Sequence, residues 1–515
     1  MKKIIQQALK LGIKLLEEDK LIDAEVILKQ LIKTDSKNAK AYHVLGLLNL
    51  KKRKAKQALE YFKKAIEFNP KNAENYNNAS LCYISLNDAD SAIECSKKAI
   101  ALDPKPLYYN NLALHFRHKG EYKNAIINIC YSLGNDYNNA QTWANGGNIY
   151  ILLKNLGMSE FFYNQAIELE PNNLQFQNNL ANVYFLNGEW EKGWPLYEHR
   201  LENFEPALHY SKLYGPNKWT GQPLERKKIV IYCEQGHGDF LHFSRYIPKL
   251  IDLGCQVSLH VSKDIKLLFE ENFNLIIQTE KIEEYDYHCS VASLPCYLKI
   301  PIPNSHIKCN KLGNYEKYKT NFKIGINWAG NPLFPNDRLR SCALSYFKKI
   351  HDIPNVKLFS LQKDTRPRAY HSGNEVDLAG GCEDMRIVNL SEYVNDFSDT
   401  AAFINGLDLI ISVDTSVLHL AGSMGKLTYA LIPFNPDWRW KLEGENTVWY
   451  PSVKLFRQDN YGDWNSAFEK IYKETKREIV KHLVSSKVAG FVNDDSHPCK
   501  VGSSILFPSG LQREV

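Results

Sequence analysis

Asp414, Thr415, Ser416 and His419 lie between an apolar run, Leu407-Asp408-Leu409-Ile410-Ile411-Ser412-Val413, and the small-residue stretch Leu420-Ala421-Gly422. The run has the β-branched content of a buried parallel strand, and Ser416 to Met424 has helical spacing. A strand feeding directly into a helix leaves the first N–H groups of that helix without partners and aims its positive dipole end above the sheet. Such a turn can cradle the oxygens of a diphosphate. The same residues also suit a plain cap, with Asp414 or Thr415 accepting from the first turn.

Other strand ends carry comparable groups. After Lys228-Ile229-Val230-Ile231-Tyr232-Cys233 comes Glu234-Gln235-Gly236-His237-Gly238-Asp239, where Gly236 and Gly238 let the chain turn sharply and bring Asp239 to a helix start. After the run from Phe322 to Trp328 come Ala329-Gly330-Asn331-Pro332 and Asp337-Arg338-Leu339-Arg340-Ser341, whose Arg338 and Arg340 guanidinium groups suit phosphate oxygens. Gln362 and Lys363 follow the run from Val356 to Leu361. Taken singly, Asp239 reads as a helix cap and the arginines as surface ion pairs. Together, strand ends that all carry acid–base or anion-binding groups point to one cleft.

These groups need sheets to hold them, and strand-like and helix-like segments alternate from Lys228 onward. Strands are expected at Lys228–Cys233 and Gln256–Val261, helices at Phe240–Leu253 and Ile265–Asn272, and further strands opening at Phe322, Val356, Ile387, Leu407 and Leu427. The pattern predicts two doubly wound, Rossmann-like α/β domains, 228–318 and 319–480, with ligands outside the carboxyl ends of their strands. The first two hundred residues follow a different rule. Tyr42, Leu45, Gly46, Ala58, Phe62, Ala65 and Pro70 recur as Tyr76, Ala79, Ser80, Ala92, Ala99 and Pro104, a 34-residue period with looser copies on either side. This is the tetratricopeptide pattern, and it predicts an α-helical superhelix of five to six units over residues 1–206 with a concave groove. Residues 207–227, with Pro216, Gly221 and Pro223, are expected as a linker, and 481–515 as a tail of unassigned structure. Asn78, Asn111 and Asn148 recur near the first helices of successive units, and their amides could hold an extended polypeptide; a generally asparagine-rich composition explains them equally well.

Composition removes several classes of function. The chain has 515 residues, 24% of them charged, and a net charge of +6 without any long basic run, which argues against a nucleic-acid partner. Its apolar runs stop short of the roughly 20 residues of a membrane span, and the N-terminus lacks the pattern of a signal peptide. The eleven cysteines include no C-x-x-C pair, so neither a disulfide framework nor a zinc site is expected and a cytoplasmic location fits.

The region from about Lys228 to Glu469 resembles the GT-B glycosyltransferases of the heptosyltransferase-like family (glycosyltransferase family 9-like), and the whole chain resembles bacterial proteins in which tetratricopeptide repeats precede such a domain. The carrying residues are Gly236-x-Gly238-Asp239 with Phe243-x-Arg245-Tyr246, Trp328-Ala329-Gly330-Asn331-Pro332, Asn336-Asp337-Arg338-x-Arg340-Ser341, Ser360-Leu361-Gln362-Lys363, Asp396-Phe397-x-Asp399-Thr400-Ala401, Val413-Asp414-Thr415-x-x-x-His419-Leu420-Ala421-Gly422 and Pro433-Phe434-x-Pro436-Asp437-Trp438-Arg439-Trp440. The resemblance implies inverting, metal-free and cofactor-free transfer of a sugar from a nucleotide diphosphate. It gives Asp239 the role of general base, with Asp414, Thr415, Ser416, His419, Arg338, Arg340 and Lys363 around the diphosphate. Gly236, Gly238, Asn331, Gln362 and Asp396 would border the nucleotide cleft. His237 and His242 depart from the family pattern, and either could assist or replace Asp239 because imidazole titrates near neutrality. The leading expectation is a protein glycosyltransferase whose repeats present a polypeptide. A transferase for lipopolysaccharide or another surface glycan and a non-catalytic scaffold are the alternatives.

Overall fold

The computed structural model describes residues 2–203, 205–304, 307–318, 321–331, 337–363, 369–371, 374–376 and 385–492. Six helical hairpins come first: Lys2–Glu17 with Leu21–Thr34, Ala39–Lys51 with Ala55–Phe68, Ala73–Ser85 with Ala89–Leu102, Pro106–Lys119 with Tyr122–Asn135, Ala140–Leu152 with Leu156–Leu169, and Leu174–Asn187 with Trp190–Tyr197. Close packing sets their period. A Cβ at Gly46 would come within 2.5 Å of the Phe62 ring, and one at Gly146 within 2.4 Å of Phe162, so the first helix of a hairpin needs a glycine where the second inserts its aromatic ring. Asn38, Asn72, Asn139 and Asn173 cap four of the first helices through their side-chain oxygens, which accounts for part of the asparagine periodicity.

A region of parallel sheets and helices follows. The strands β1 (Lys228–Tyr232), β2 (Gln256–His260), β3 (Ile276–Gln278) and β4 (Tyr287–Ser290) form a parallel sheet of order β3-β2-β1-β4. The second sheet takes β5 (Phe322–Asn327) and β6 (Val356–Ser360); an antiparallel pair, β7 (Ala369–His371) and β8 (Asn374–Val376), stands apart from it. With β9 (Val388–Asn389), β10 (Leu409–Val413), β11 (Thr428–Ile432) and β12 (Val453–Arg457), its order is β12-β11-β10-β5-β6-β9, all parallel. The helix expected over Phe240–Leu253 is broken into His237–Phe243, a 3₁₀ turn at Ser244–Tyr246 and Ile247–Asp252, with Pro248 near the start of the last piece.

The structure revises one expected domain edge and gives part of another a structure. Residues 207–227 are not a free linker: the helix Glu205–Tyr214 enters them, Tyr214, Trp219 and Leu224 are buried, and Lys218 bridges to His288 at the edge of the first sheet. Residues 481–492 continue the helix Asn465–Val492, and 493–515 lie outside the described residues. One hydrophobic core runs without a break from Ala181, Phe185 and Trp194 of the last hairpin, through Leu241 and Phe243, to Leu418, Trp438 and Trp449. The repeats are therefore docked on the α/β region by shared core rather than tethered to it.

Candidate functional site

The carboxyl end of β10 builds the first wall of the site. Thr415 takes an extended conformation at the N-cap position of the helix Ser416–Ser423, yet no side chain caps that helix. Its hydroxyl donates instead to Asn327 Oδ1 at 2.9 Å, tying β10 to β5. The plain-cap reading of Thr415 thus fails, and the first-turn amides keep their donor capacity. Arg340 donates from Nη1 to the Asp414 carbonyl at 2.9 Å and from Nε to Asp337 Oδ1 at 3.2 Å. Gly330 lies directly on that guanidinium, where a Cβ would stand 2.5 Å from Nη2. Burial, followed by the nearby Asp437 charge, raises the Asp414 carboxyl to about 6. Burial also holds the His419 imidazole well below its ordinary range, helped by Arg439, Arg245 and Arg340.

The loop after β1 forms the opposite wall. Asp239 Oδ2 accepts from the Gly236 N–H at 3.0 Å, folding the loop back on itself, and Oδ1 accepts from Arg439 Nη2 at 2.6 Å. Arg439 also donates from Nη1 to Asp437 Oδ1 at 2.9 Å, and its guanidinium lies 4.3 Å from the Trp438 ring centroid. The Asp239 side chain retains 24% exposure while that of Arg439 has 7%, so the carboxylate keeps some access to solvent. Burial pushes the Asp239 carboxyl up, with Asp437 and Glu234 adding to it and Arg439 and the Gly236 N–H opposing. The two walls touch: a Cβ on Gly238 would come 3.0 Å from His419 Cδ2 and 3.4 Å from Ser416 Cα. The loop that carries Asp239 thus packs against the helix start that carries Ser416 and His419, where strand ends of both sheets converge.

The remaining expected residues divide. His237 points away from Asp239, its Nε2 bound to Ser262 Oγ at 2.8 Å and 3.8 Å from Asp264 Oδ2, with its ring edge on Phe397. It is a rim residue, as is exposed Lys363, which donates to the Asn395 carbonyl at 3.1 Å. Asn331 is exposed at the end of its described segment. Gln362 is buried and turned inward, its Oε1 accepting from Asn327 Nδ2 at 3.0 Å and the Ala329 N–H at 3.2 Å, so it shapes the end of β5 rather than facing a ligand. Asp396 caps the helix Phe397–Asn405 by accepting from Ser398 and Asp399 N–H groups at 2.8 and 3.2 Å. His242 has 0% exposure and is bound to the Tyr450 hydroxyl, which removes it as a base for a cleft substrate. The Arg338 side chain lies outside the described residues.

Two pairs of asparagines in the repeats are committed to one another. Asn111 Nδ2 donates to Asn77 Oδ1 at 2.8 Å and Asn145 Nδ2 to Asn110 Oδ1 at 3.0 Å, linking first helices of adjacent units. Asn148 donates to the Ala144 carbonyl of its own helix, and Asn78 Nδ2 is buried without a protein partner. Of the three asparagines expected to hold a peptide, Asn111 is thus spent between repeats, in one of two amide pairs 34 and 35 residues apart that face each other across the stack.

Arg200 is the residue that sequence reasoning missed most completely. It belongs to the helix Arg200–Asn203 just after the last hairpin and donates to Glu234 Oε1 at 2.8 Å, Ser290 Oγ at 3.1 Å and Ser293 Oγ at 3.0 Å. Ser290 in turn donates to Glu234 Oε2, and Gln235 Nε2 donates to the Tyr197 hydroxyl at 2.7 Å. The end of the superhelix thereby fixes the first two residues of the loop that carries Asp239. No local pattern announces a pairing across such a separation; Arg439, by contrast, lay inside a motif already singled out.

Comparison with known proteins places the first part of the chain. Tetratricopeptide-repeat models match residues 49–114, 140–173 and 162–194. Protein FlbA of Caulobacter vibrioides is 24% identical over 329 residues, which is 56% of this chain and 53% of that protein, so the chain spans about half the length of this relative. Among solved structures, PilW, a type IV pilus biogenesis factor, is 17% identical with a TM-score of 0.37, covering 39% of this chain and 94% of its own. Pseudomonas aeruginosa pilF is 15% identical with a TM-score of 0.36, covering 41% and 96%. No helix among the described residues is long and apolar enough to cross a membrane. The chain thus opens with a tetratricopeptide-repeat superhelix, and a region of two parallel α/β sheets follows it.

Proposed function

We propose that the α/β region is a glycosyltransferase of GT-B type that moves a sugar from a nucleotide diphosphate to an acceptor hydroxyl, and that the repeats present a polypeptide acceptor. The observation that carries this reading is the packing of the loop that bears Asp239, through Gly238, against Ser416 and His419 at the N-terminus of the helix Ser416–Ser423, which its N-cap side chain leaves uncapped. A sugar bound with its diphosphate on the helix amides, His419 and the Arg340 side would lie beside Asp239. Deprotonation of an attacking hydroxyl and stabilisation of the departing diphosphate are the two tasks such a reaction sets. Mass spectrometry of cellular proteins with and without the gene tests the reading, which requires a sugar mass that disappears from a protein when the gene is lost.

The cradle makes a direct binding prediction. His419→Ala and Arg340→Ala are expected to weaken nucleoside diphosphate affinity by about 1–3 kcal/mol each, the scale of a charge-assisted hydrogen bond. Thr415→Ala should act less strongly, because its hydroxyl is turned onto Asn327. Calorimetry with UDP, GDP, ADP and TDP measures these changes, and unchanged affinity in both cradle variants would move the diphosphate elsewhere.

Asp414 gives binding a pH dependence whose sign follows from its environment. A diphosphate arriving beside a carboxyl already raised to about 6 raises it further, so the complex takes up protons. Affinity should therefore increase as pH falls from 8 toward 6. Titrations in two buffers of different ionisation enthalpy read the proton uptake at pH 7; proton release would contradict this arrangement.

A further inference from the structure

Behind the cradle, one phenol holds two imidazoles. Tyr450 Oη lies 2.9 Å from His242 Nδ1 and 2.9 Å from His419 Nδ1, and the three side chains are buried, at 0%, 0% and 6% exposure for Tyr450, His242 and His419. The tyrosine cannot shift to relieve a mismatch. A Cβ on Gly422 would come within 2.6 Å of its ring, and the Arg245 guanidinium covers it at 4.5 Å from the centroid. His419 is stacked on Trp440 at 5.6 Å and 19°, which fixes the direction of its ring nitrogens.

A phenol has a single proton to give, so at most one of the two imidazole nitrogens accepts it and the other must carry a proton of its own; Ser423 and Arg245 are the other polar groups acting on this hydroxyl, both toward its oxygen. The direction is decided at the far side of His419, where Nε2 stands 3.7 Å from Asp414 Oδ1. A carboxylate oxygen favours an N–H in that position over a bare lone pair. We infer that Tyr450 donates to His419 Nδ1 and accepts from His242 Nδ1–H, fixing His419 as the neutral tautomer with its proton on Nε2. His419 then offers the cradle a directed N–H donor and no charge. Asp414, Arg340, Arg439 and Arg245 are the charged groups around it, and the three guanidinium groups disfavour an imidazolium there. Tyr450 is in this account a positioning residue that acts on an anion only through His419, and that last role rests on the diphosphate reading above.

The test uses the full chain labelled with [¹⁵N]histidine, with His419 and His242 assigned from His419→Gln and His242→Gln. Long-range ¹H–¹⁵N correlation between pH 6 and 8 should show His419 with a bare Nδ1 and a protonated Nε2, and His242 with a protonated Nδ1. A protonated Nδ1 on His419 in the unmutated protein overturns the inference, whatever becomes of any variant. In Tyr450→Phe the lock on Nδ1 is lost while the bias from Asp414 stays, so the His419 pattern should relax to a mixture still richer in the protonated-Nε2 form, and UDP or whichever nucleoside diphosphate binds the unmutated protein should bind about tenfold more weakly. An unchanged His419 tautomer in folded Tyr450→Phe likewise overturns it. Absence of nucleoside diphosphate binding by the unmutated protein would sink the cradle reading alone, because the tautomer is read without ligand.

Discussion

Asp239→Asn is expected to lower sugar transfer at saturating donor by about 10² or more while leaving nucleoside diphosphate affinity nearly unchanged, the pattern of a lost general base. The carboxylate also accepts from Gly236 and Arg439, so a loss of activity could arise from a disordered loop rather than from lost basicity. Asp437→Asn separates the two causes. It removes the other carboxylate bound to Arg439 and leaves Asp239 charged, so its activity should fall much less. The acid limb of kcat/KM adds a second check. Burial raises Asp239, so the limb should lie above the ordinary aspartate range, since a base works only after its proton has left. Removing the Asp437 charge should move the limb down. Normal turnover in Asp239→Asn would reassign the role, and His237 would remain the titratable side chain at the crevice rim, whereas His242 is sealed from it.

What was legible in the sequence follows from how local each signal is. The runs opening at Lys228, Gln256, Phe322, Val356, Leu407 and Leu427 became strands because a β-branched apolar run is marked by its own residues. The strand Ile276–Gln278 has three residues and an exposed Ile276, and Tyr287–Ser290 carries no β-branched residue, so neither could be found that way. Gly215, Pro216, Gly221 and Pro223 gave residues 207–227 the composition of a linker, yet Tyr214, Trp219 and Leu224 anchor the segment in the cores around it. Turn-forming residues report the path of the backbone and say nothing about what its large side chains cover. The same limit applies to the asparagines, whose spacing was visible while their pairing was not. Asn111 meets Asn77 only because the repeats stack in register. In the site, residues on strand-end loops were recoverable, whereas Arg200 and Tyr450 act through contacts made by distant segments.

The same distant contact sets the second large effect. Arg200→Ala is expected to destabilise the protein by about 3–5 kcal/mol, the range for stripping a buried charge of its partner, because Glu234 has 0% side-chain exposure and Arg200 6%. Glu234 would keep Ser290 as a donor and lose its cation. Adding Glu234→Gln should recover part of that loss, since the amide carries no charge to leave unpaired, and the double-mutant cycle in urea then reports the coupling. Full additivity would mean that the pair does little. The consequence reaches the test of the repeats themselves. A fragment beginning near Leu224 lacks Arg200, Trp194 and Trp219 and uncovers Trp438 and Trp449, so its failure to transfer sugar would report a damaged fold rather than a missing groove. Deleting residues 1–135 keeps the last two hairpins, the aromatic contacts and Arg200. That shorter protein should unfold cooperatively and bind nucleoside diphosphate like the full chain, while transfer to a polypeptide falls through a raised KM if the groove positions it. Undiminished transfer to protein would give the first four hairpins another partner, and a 224–515 fragment as stable as the full chain would refute the buttressing role of Arg200.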